Sequence, residues 1–107
     1  SDTDWRQIAV LYAALRRHAP SPVVELNRAV AIAMANGPEA GLAALRPVEE
    51  SGALVAYHPF HAARAELLRR AGRANEAGDA YRRALQLTSN AAERAFLSRR
   101  LEELRDG

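Results

Sequence analysis

Residues 65–90 read AELLRRAGRANEAGDAYRRALQLTSN, and this stretch decides the fold. Gly72 closes one amphipathic segment, and the next segment carries Ala77, Tyr81 and Ala84 along one side at helical spacing. Small residues on either side of an aromatic residue allow two helices to pack closely. The stretch therefore predicts a helical hairpin, with one helix that ends near Gly72 and a second that covers about residues 74–88.

With Leu85 added, these offsets resemble those of a tetratricopeptide (TPR) hairpin. The separation of Tyr81 and Ser89 recurs between Tyr12 and Pro20, so the first helix resembles the second half of an incomplete repeat. Such repeats usually bind other proteins and rarely carry catalysis. A function is therefore to be sought on a partner surface.

Outward from the hairpin, the sequence predicts an all-α chain, because no stretch alternates polar and apolar residues at a period of two. About six helices are expected, arranged in antiparallel hairpins as one TPR-like right-handed helical repeat over residues 1–107. Their predicted spans are about 4–18, 22–36, 38–50, 58–71, 74–88 and 91–105.

Local signals mark the helix ends. Asp2 or Thr3 is expected to cap the first helix, and Pro20 to end it. Ser21 precedes the second helix, and Asn90 begins the sixth.

Apolar spacing predicts how the first two helices pack, and a proline predicts a bend in the third. The first helix is expected to bury one stripe, formed by Trp5, Ile8, Ala9, Tyr12 and Leu15. The second helix is apolar almost all round, which predicts a central place. Pro47 predicts a bent or frayed last turn in the third helix.

Composition limits the possible functions. The 107 residues include no Cys, which excludes disulfides and thiolate metal sites, and no apolar run approaches the roughly 20 residues that span a bilayer. A cytoplasmic protein with no membrane contact is expected. The chain opens with Ser1 and its single Met is Met34, so we expect a fragment of a longer protein. The net charge of +2 is small, and both signs are mixed along the chain.

The order of several short motifs resembles the C-terminal extension of a group of bacterial extracytoplasmic-function (ECF) RNA polymerase sigma factors. The matching segments are DWRQI at 4–8, SPVVELNRAVA at 21–31, GPEAGL at 37–42, HAARA at 61–65, LLRRAGR at 67–73 and AERAFL at 92–97. The resemblance implies a TPR-like domain that follows the two sigma domains, which recognise the promoter and are absent from this chain. It also implies a regulatory role in transcription initiation.

The partners implied by the resemblance are the sigma domains of the same chain, RNA polymerase or a regulatory protein. DNA would be contacted only through the absent sigma domains. The alternative is a free-standing TPR adaptor that binds a peptide ligand. The helix-turn-helix patterns of a sigma factor, if encoded upstream, would favour the first interpretation.

Partner-binding candidates follow from a TPR register, which turns one side of alternate helices toward a groove. They are Asn27, Ala31 and Met34 on the second helix and Ala62, Glu66, Arg69 and Arg70 on the fourth. Asn27 is expected to be a buried amide, which needs hydrogen-bond partners and could instead fix a neighbouring loop. Glu66 and Arg69 could clamp an acidic or amphipathic peptide, or could be solvated surface charges.

No catalytic residue, metal site or cofactor is predicted, and the chain is not expected to be an enzyme. His58 and His61 are three residues apart, but no third ligand of the usual kind stands beside them. No Gly-rich phosphate loop or nucleophile elbow occurs in the sequence. Oligomeric state stays open, because an apolar side of the first or sixth helix could meet a sigma domain or a second copy.

Overall fold

A computed structural model describes residues 3–18 and 21–106, and every regular element within them is a helix. The helices of this part are α1 (Trp5–His18), α2 (Pro22–Asn36), α3 (Pro38–Ser51), α4 (His58–Arg70), α5 (Ala74–Leu87) and α6 (Ala91–Asp106). The predicted all-α class and the six predicted helices are confirmed. The chain divides into two compact units, Ser1–Leu54 with α1–α3 and Val55–Gly107 with α4–α6.

In the first unit, α2 packs against both α1 and α3, which confirms its predicted central place. It buries Leu26 and three alanines, and α3 adds Leu45 and Val48. Four of the five residues predicted to form the buried stripe of the first helix are half-buried, but the fifth, Leu15, is 49% exposed. At about 100° per residue, position 15 lies at the edge of that stripe, turned away from its centre.

Glycine sets the geometry of the α2–α3 junction. Gly37 has φ +102°, a conformation that disfavours residues with a Cβ atom, and its N–H donates to the Ala33 carbonyl at 2.8 Å. One turn into α3, a Cβ atom on Gly41 would overlap the Ala33 side chain and lie 3.0 Å from the Ala29 carbonyl oxygen. The two helix backbones are therefore in direct contact at Gly41.

The predicted fraying after Pro47 is wrong, since α3 continues through this residue to Ser51, and the bend stays a prediction. Pro47 cannot donate to Ala43 four residues earlier, but both residues are exposed, so water can satisfy that carbonyl. The helix then ends on Gly52, which is left-handed at φ +69°.

The caps differ in part from those predicted. Asp4, and not Thr3, caps α1, because its Oδ1 accepts the Gln7 N–H at 3.1 Å. The Asp2 alternative and the Pro20 stop lie outside the described residues. Ser21 occupies the N-cap position of α2, but its side chain makes no capping hydrogen bond.

The start of α6 follows its sequence signal. Asn90 Oδ1 accepts the Glu93 N–H at 2.8 Å, as the capping motif predicts.

The second unit is built on the hairpin of α4 and α5. Gly72, at φ +81°, donates to Arg69, and the next N–H, of Arg73, reaches back to the Leu68 carbonyl at 2.9 Å. This pair of bonds is a Schellman motif, which confirms the predicted helix end. On α5 the three predicted packing residues are fully buried: Ala77, Tyr81 and Ala84. In contrast, α6 buries only Leu97 completely, while Phe96, Leu101 and Leu104 are half-buried.

Gly41→Ala should destabilise the first unit by about 1–3 kcal/mol, because the added methyl group meets backbone atoms that cannot move aside. The matched control is Gly78→Ala on α5, where a Cβ atom would meet only the Arg82 guanidinium at 3.5 Å. That substitution should be neutral or stabilise by up to about 1 kcal/mol. Urea unfolding followed by circular dichroism measures both, and equal effects of the two substitutions would contradict the close contact at Gly41.

Candidate functional site

Glu66, a predicted groove residue on α4, lies at the centre of a polar cluster. Its carboxylate accepts a very short hydrogen bond from the Tyr81 hydroxyl of α5. It also accepts from Arg100 of α6, with Nε to Oε2 at 2.9 Å and Nη2 to Oε1 at 3.3 Å, and from Arg69 Nη2 at 3.3 Å. We call Glu66, Arg69, Tyr81 and Arg100 the Glu66 cluster. It joins three helices through one carboxylate.

The environment of the cluster shifts the pKa of its members. Partial burial alone would raise the pKa of Glu66, but hydrogen bonds from Tyr81, Arg69 and Arg100 outweigh it, and the net shift is downward. Burial and the adjacent carboxylate raise the pKa of Tyr81 well above its ordinary value. Glu66 is therefore an ionised acceptor at neutral pH, and Tyr81 is a protonated donor.

Arg100 is held from three directions. Besides Glu66, it binds Glu103 on the next turn of α6, with Nη1 to Oε1 at 3.0 Å. Its guanidinium carbon lies 5.1 Å from the centroid of the Phe96 ring, within the range of a cation–π contact. Arg69 is less completely bound, because its buried Nε has no hydrogen-bond partner among the described residues.

The other α4 candidates differ in exposure. Ala62 is half-buried, and Arg70, next to Arg69, is exposed. The structure thus brings Glu66 and Arg69 together in an internal network and leaves Arg70 at the surface.

The α2 candidates do not share one environment. Asn27 is exposed, so its expected burial is wrong, and its amide does not need an internal partner. Ala31 is buried at 1% exposure, whereas Met34 is 44% exposed. The side of α2 that carries Asn27 and Met34 is therefore accessible to solvent, and Ala31 belongs to the core of the unit.

The sequence predicted an apolar side on the first or sixth helix but did not indicate its residues. Val10, Leu11 and Leu15 of α1 are 61%, 55% and 49% exposed. At about 100° per residue the three span an arc of about 140°, in which Leu11 and Leu15 share a face and Val10 lies at the margin. We call these three residues the α1 stripe. The signal was present in the sequence, since α1 has more apolar positions than one buried face requires.

Each unit has a cleft among its described residues. One of about 560 Å³ separates the first turns of α5 from the last turns of α6, and it is lined by Gly78, Arg82, Leu101 and Leu104 among others. A smaller one of about 290 Å³ lies between the start of α2 and the end of α3, beside Glu25 and Pro47.

His61 has a local packing role. His61 Nε2 donates to the Val55 carbonyl at 2.8 Å, and its ring meets Phe60 edge-on with centroids 4.9 Å apart. Within residues 3–18 and 21–106, no three His, Asp or Glu side chains are grouped so as to hold a metal ion. In the same part of the chain, no helix is both long and apolar enough to cross a bilayer.

Sequence reasoning missed the role of Tyr81 and Arg100 in the Glu66 cluster. A signal existed for Tyr81, because a tyrosine at a core position needs a partner for its hydroxyl. Arg100 gave none, since Glu66 is 34 residues earlier and only the packing of α6 brings the two together.

The chain is similar to a segment of an uncharacterized protein, R00370, of Rhizobium meliloti (strain 1021). The two are 48% identical over 102 residues, which is 95% of this chain and 24% of the relative. The chain therefore spans about a quarter of the length of that relative. No family model matches the chain, and no solved structure matches it significantly.

Tyr81→Phe should lower the free energy of unfolding by about 1.5–3 kcal/mol, the usual value of a hydrogen bond to a charged partner, since the buried ring is otherwise retained. Chemical denaturation at neutral pH measures this change. Glu76→Gln, which removes the charge of the exposed Arg73–Glu76 pair, is the control and should have little effect. An equal loss in the two variants would contradict the importance of the cluster.

Acidification should weaken the same cluster. Because the folded-state pKa of Glu66 is lowered, its stabilising effect is complete above the ordinary glutamate pKa of about 4.3 and is lost as pH falls from there through the lowered value. The difference in unfolding free energy between wild type and Glu66→Gln should therefore shrink below about pH 4.3. Denaturation series at several pH values test this, and a constant difference would contradict it.

Proposed function

We propose that this chain is a regulatory protein-interaction domain of an ECF-type sigma factor, which acts by contact with the sigma domains, RNA polymerase or a signalling partner. The observation that carries the interaction role is the α1 stripe, three large apolar side chains that are about half or more exposed on one side of a helix. Exposed apolar surface of this kind is typical of sites that another protein covers.

The charge of α1 supports a protein partner with an acidic border. Helix α1 contains Arg6, Arg16 and Arg17 in its sequence and no acidic residue between Trp5 and His18. Two copies of such a helix would repel each other, whereas a helix with Asp or Glu beside an apolar face would be attracted. A heterologous contact is therefore favoured over self-association.

The length of the relative is compatible with a sigma factor. About three quarters of R00370 lies outside the matched segment, which leaves room for further domains such as the two sigma domains. The specific link to transcription rests on the order of the sequence motifs. The TPR-like repeat remains part of this proposal.

A reconstituted transcription assay tests the sigma-factor assignment. Purified R00370 and a version without the matched segment are each added to core RNA polymerase at fixed concentration. A gain or a loss of promoter-dependent transcription on removal supports a regulatory domain. If intact R00370 neither binds the polymerase nor starts transcription, the assignment is overturned, and unchanged activity after removal favours an adaptor that acts only when its partner is present.

Leu11→Glu with Leu15→Glu should weaken the interaction of the domain with its partner roughly tenfold or more, because burial of a single leucine is worth about 1.5–3 kcal/mol. Both positions are exposed, so the fold should persist, which circular dichroism checks. The control is Ala91→Glu with Ala95→Glu, which adds the same two charges, four residues apart, at exposed positions of α6. Binding to the sigma domains and to polymerase is measured by titration, and equal affinity of all three proteins would refute a role for the stripe.

A further inference from the structure

We propose that α6 is an exchangeable helix, and that the surface it covers on α4 and α5 binds a partner helix that carries leucine and arginine three residues apart. This inference concerns the second unit and goes beyond the proposed function, which rests on α1. It depends on the small apolar contact of α6 and on the specificity of its polar contact with Glu66. The other polar contact, from Arg94 Nη1 to the Leu85 and Thr88 carbonyls, holds only the first turn of α6.

The apolar contact of α6 is small. Among its described residues only Leu97 is buried, whereas α5, a helix of similar length, buries five residues. Toward the end of α6, Leu101 and Leu104 are half-buried and border the cleft of about 560 Å³ that separates them from the first turns of α5. The second half of α6 is therefore only partly packed.

The polar contact of α6 is specific. Arg100 lies one turn after Leu97 and binds both oxygens of Glu66. A carboxylate that faces a guanidinium in this two-bond geometry selects arginine over other cations. Leu97 and Arg100 together define the leucine-and-arginine pattern that the surface recognises.

The surface retains its shape when α6 is absent, because its other parts belong to the α4–α5 hairpin. Tyr81 and Arg69 hold Glu66 independently of α6, and the Schellman motif at Gly72 fixes the turn between the two helices. Loss of Arg100 leaves Glu66 ionised and partly buried with one acceptor direction open. An incoming arginine of another helix can restore that bond.

A peptide-binding experiment tests the exchange. The probe is a fluorescent synthetic peptide of residues 89–106, and the receptor is the full chain with Arg100→Ala, whose own α6 is weakened. The native peptide should bind, and an Arg100→Ala peptide should bind about tenfold or more weakly, because one charge-assisted hydrogen-bond pair is lost. An Arg99→Ala peptide is the matched control, since Arg99 is the exposed neighbour, and it should bind as the native peptide does.

Two results would overturn the proposal: absence of binding, or equal binding of the Arg99→Ala and Arg100→Ala peptides. Adding Glu66→Gln to the receptor should also abolish the preference for arginine. Sedimentation of the receptor alone distinguishes a partner helix from a second copy. A stable dimer that forms through the same surface would show that the surface binds α6 of a second copy.

Hydrogen exchange on the unaltered chain provides a test that needs no variant. Amides of α6 should exchange about tenfold or more faster than those of α4 and α5, because α6 leaves while the hairpin stays folded. Equal protection of the three helices would mean that α6 separates only on unfolding of the whole unit, and would overturn the proposal.

Discussion

Close approach of helix backbones is the constraint on which the rest of this structure depends. In the first unit the contact is made by Gly41 against Ala29 and Ala33, and in the second unit the buried side of α5 carries two small residues, Ala77 and Ala84, on either side of Tyr81. Helices that approach this closely gain dispersion contacts along their backbones but leave little room for large side chains between them. Alanine and glycine therefore make up a large part of each core, beside larger residues such as Leu45, Leu68 and Tyr81.

A core with many small side chains changes what a polar interaction can contribute to stability. Glu66 is only partly buried, and its desolvation is outweighed by donors from three helices, as the direction of its pKa shift indicates. One carboxylate thereby fixes the relative positions of α4, α5 and α6, where apolar contact alone buries a single α6 residue. Hydrogen bonds are directional, so such a cluster specifies the register of α6 more strictly than leucine contacts would.

The sequence predicted the parts of the fold that depend on local rules. Gly72, Ala77, Tyr81 and Ala84 followed from spacing, and the capping role of Asn90 followed from the glutamate three residues later. Asn27 was wrongly predicted to be buried. Because α2 is apolar almost all round, its sequence does not show which side of the helix faces the core. The fraying expected at Pro47 was also wrong, because α3 continues through the proline at a place where both Pro47 and Ala43 are exposed to water. The Glu66–Arg100 contact could not be foreseen, because it joins residues 34 positions apart through the packing of a third helix.

The two surfaces singled out in this chain share one structural feature. Each belongs to a helix that packs mainly against one other helix of the described residues, α1 against α2 and α6 against α5. Helix α1 shows this as the apolar α1 stripe, and α6 shows it as a half-packed second half beside a cleft. The two surfaces differ in chemistry. The α1 stripe presents leucine and valine on a basic helix. Loss of α6 exposes the Glu66 carboxylate, which is already oriented for arginine. A partner of α1 should therefore bring apolar side chains with an acidic border, and a partner of the α4–α5 surface should bring arginine. Because these requirements are opposite in charge, one partner helix cannot satisfy both surfaces equally well, and the chain is suited to discriminate between two different contacts.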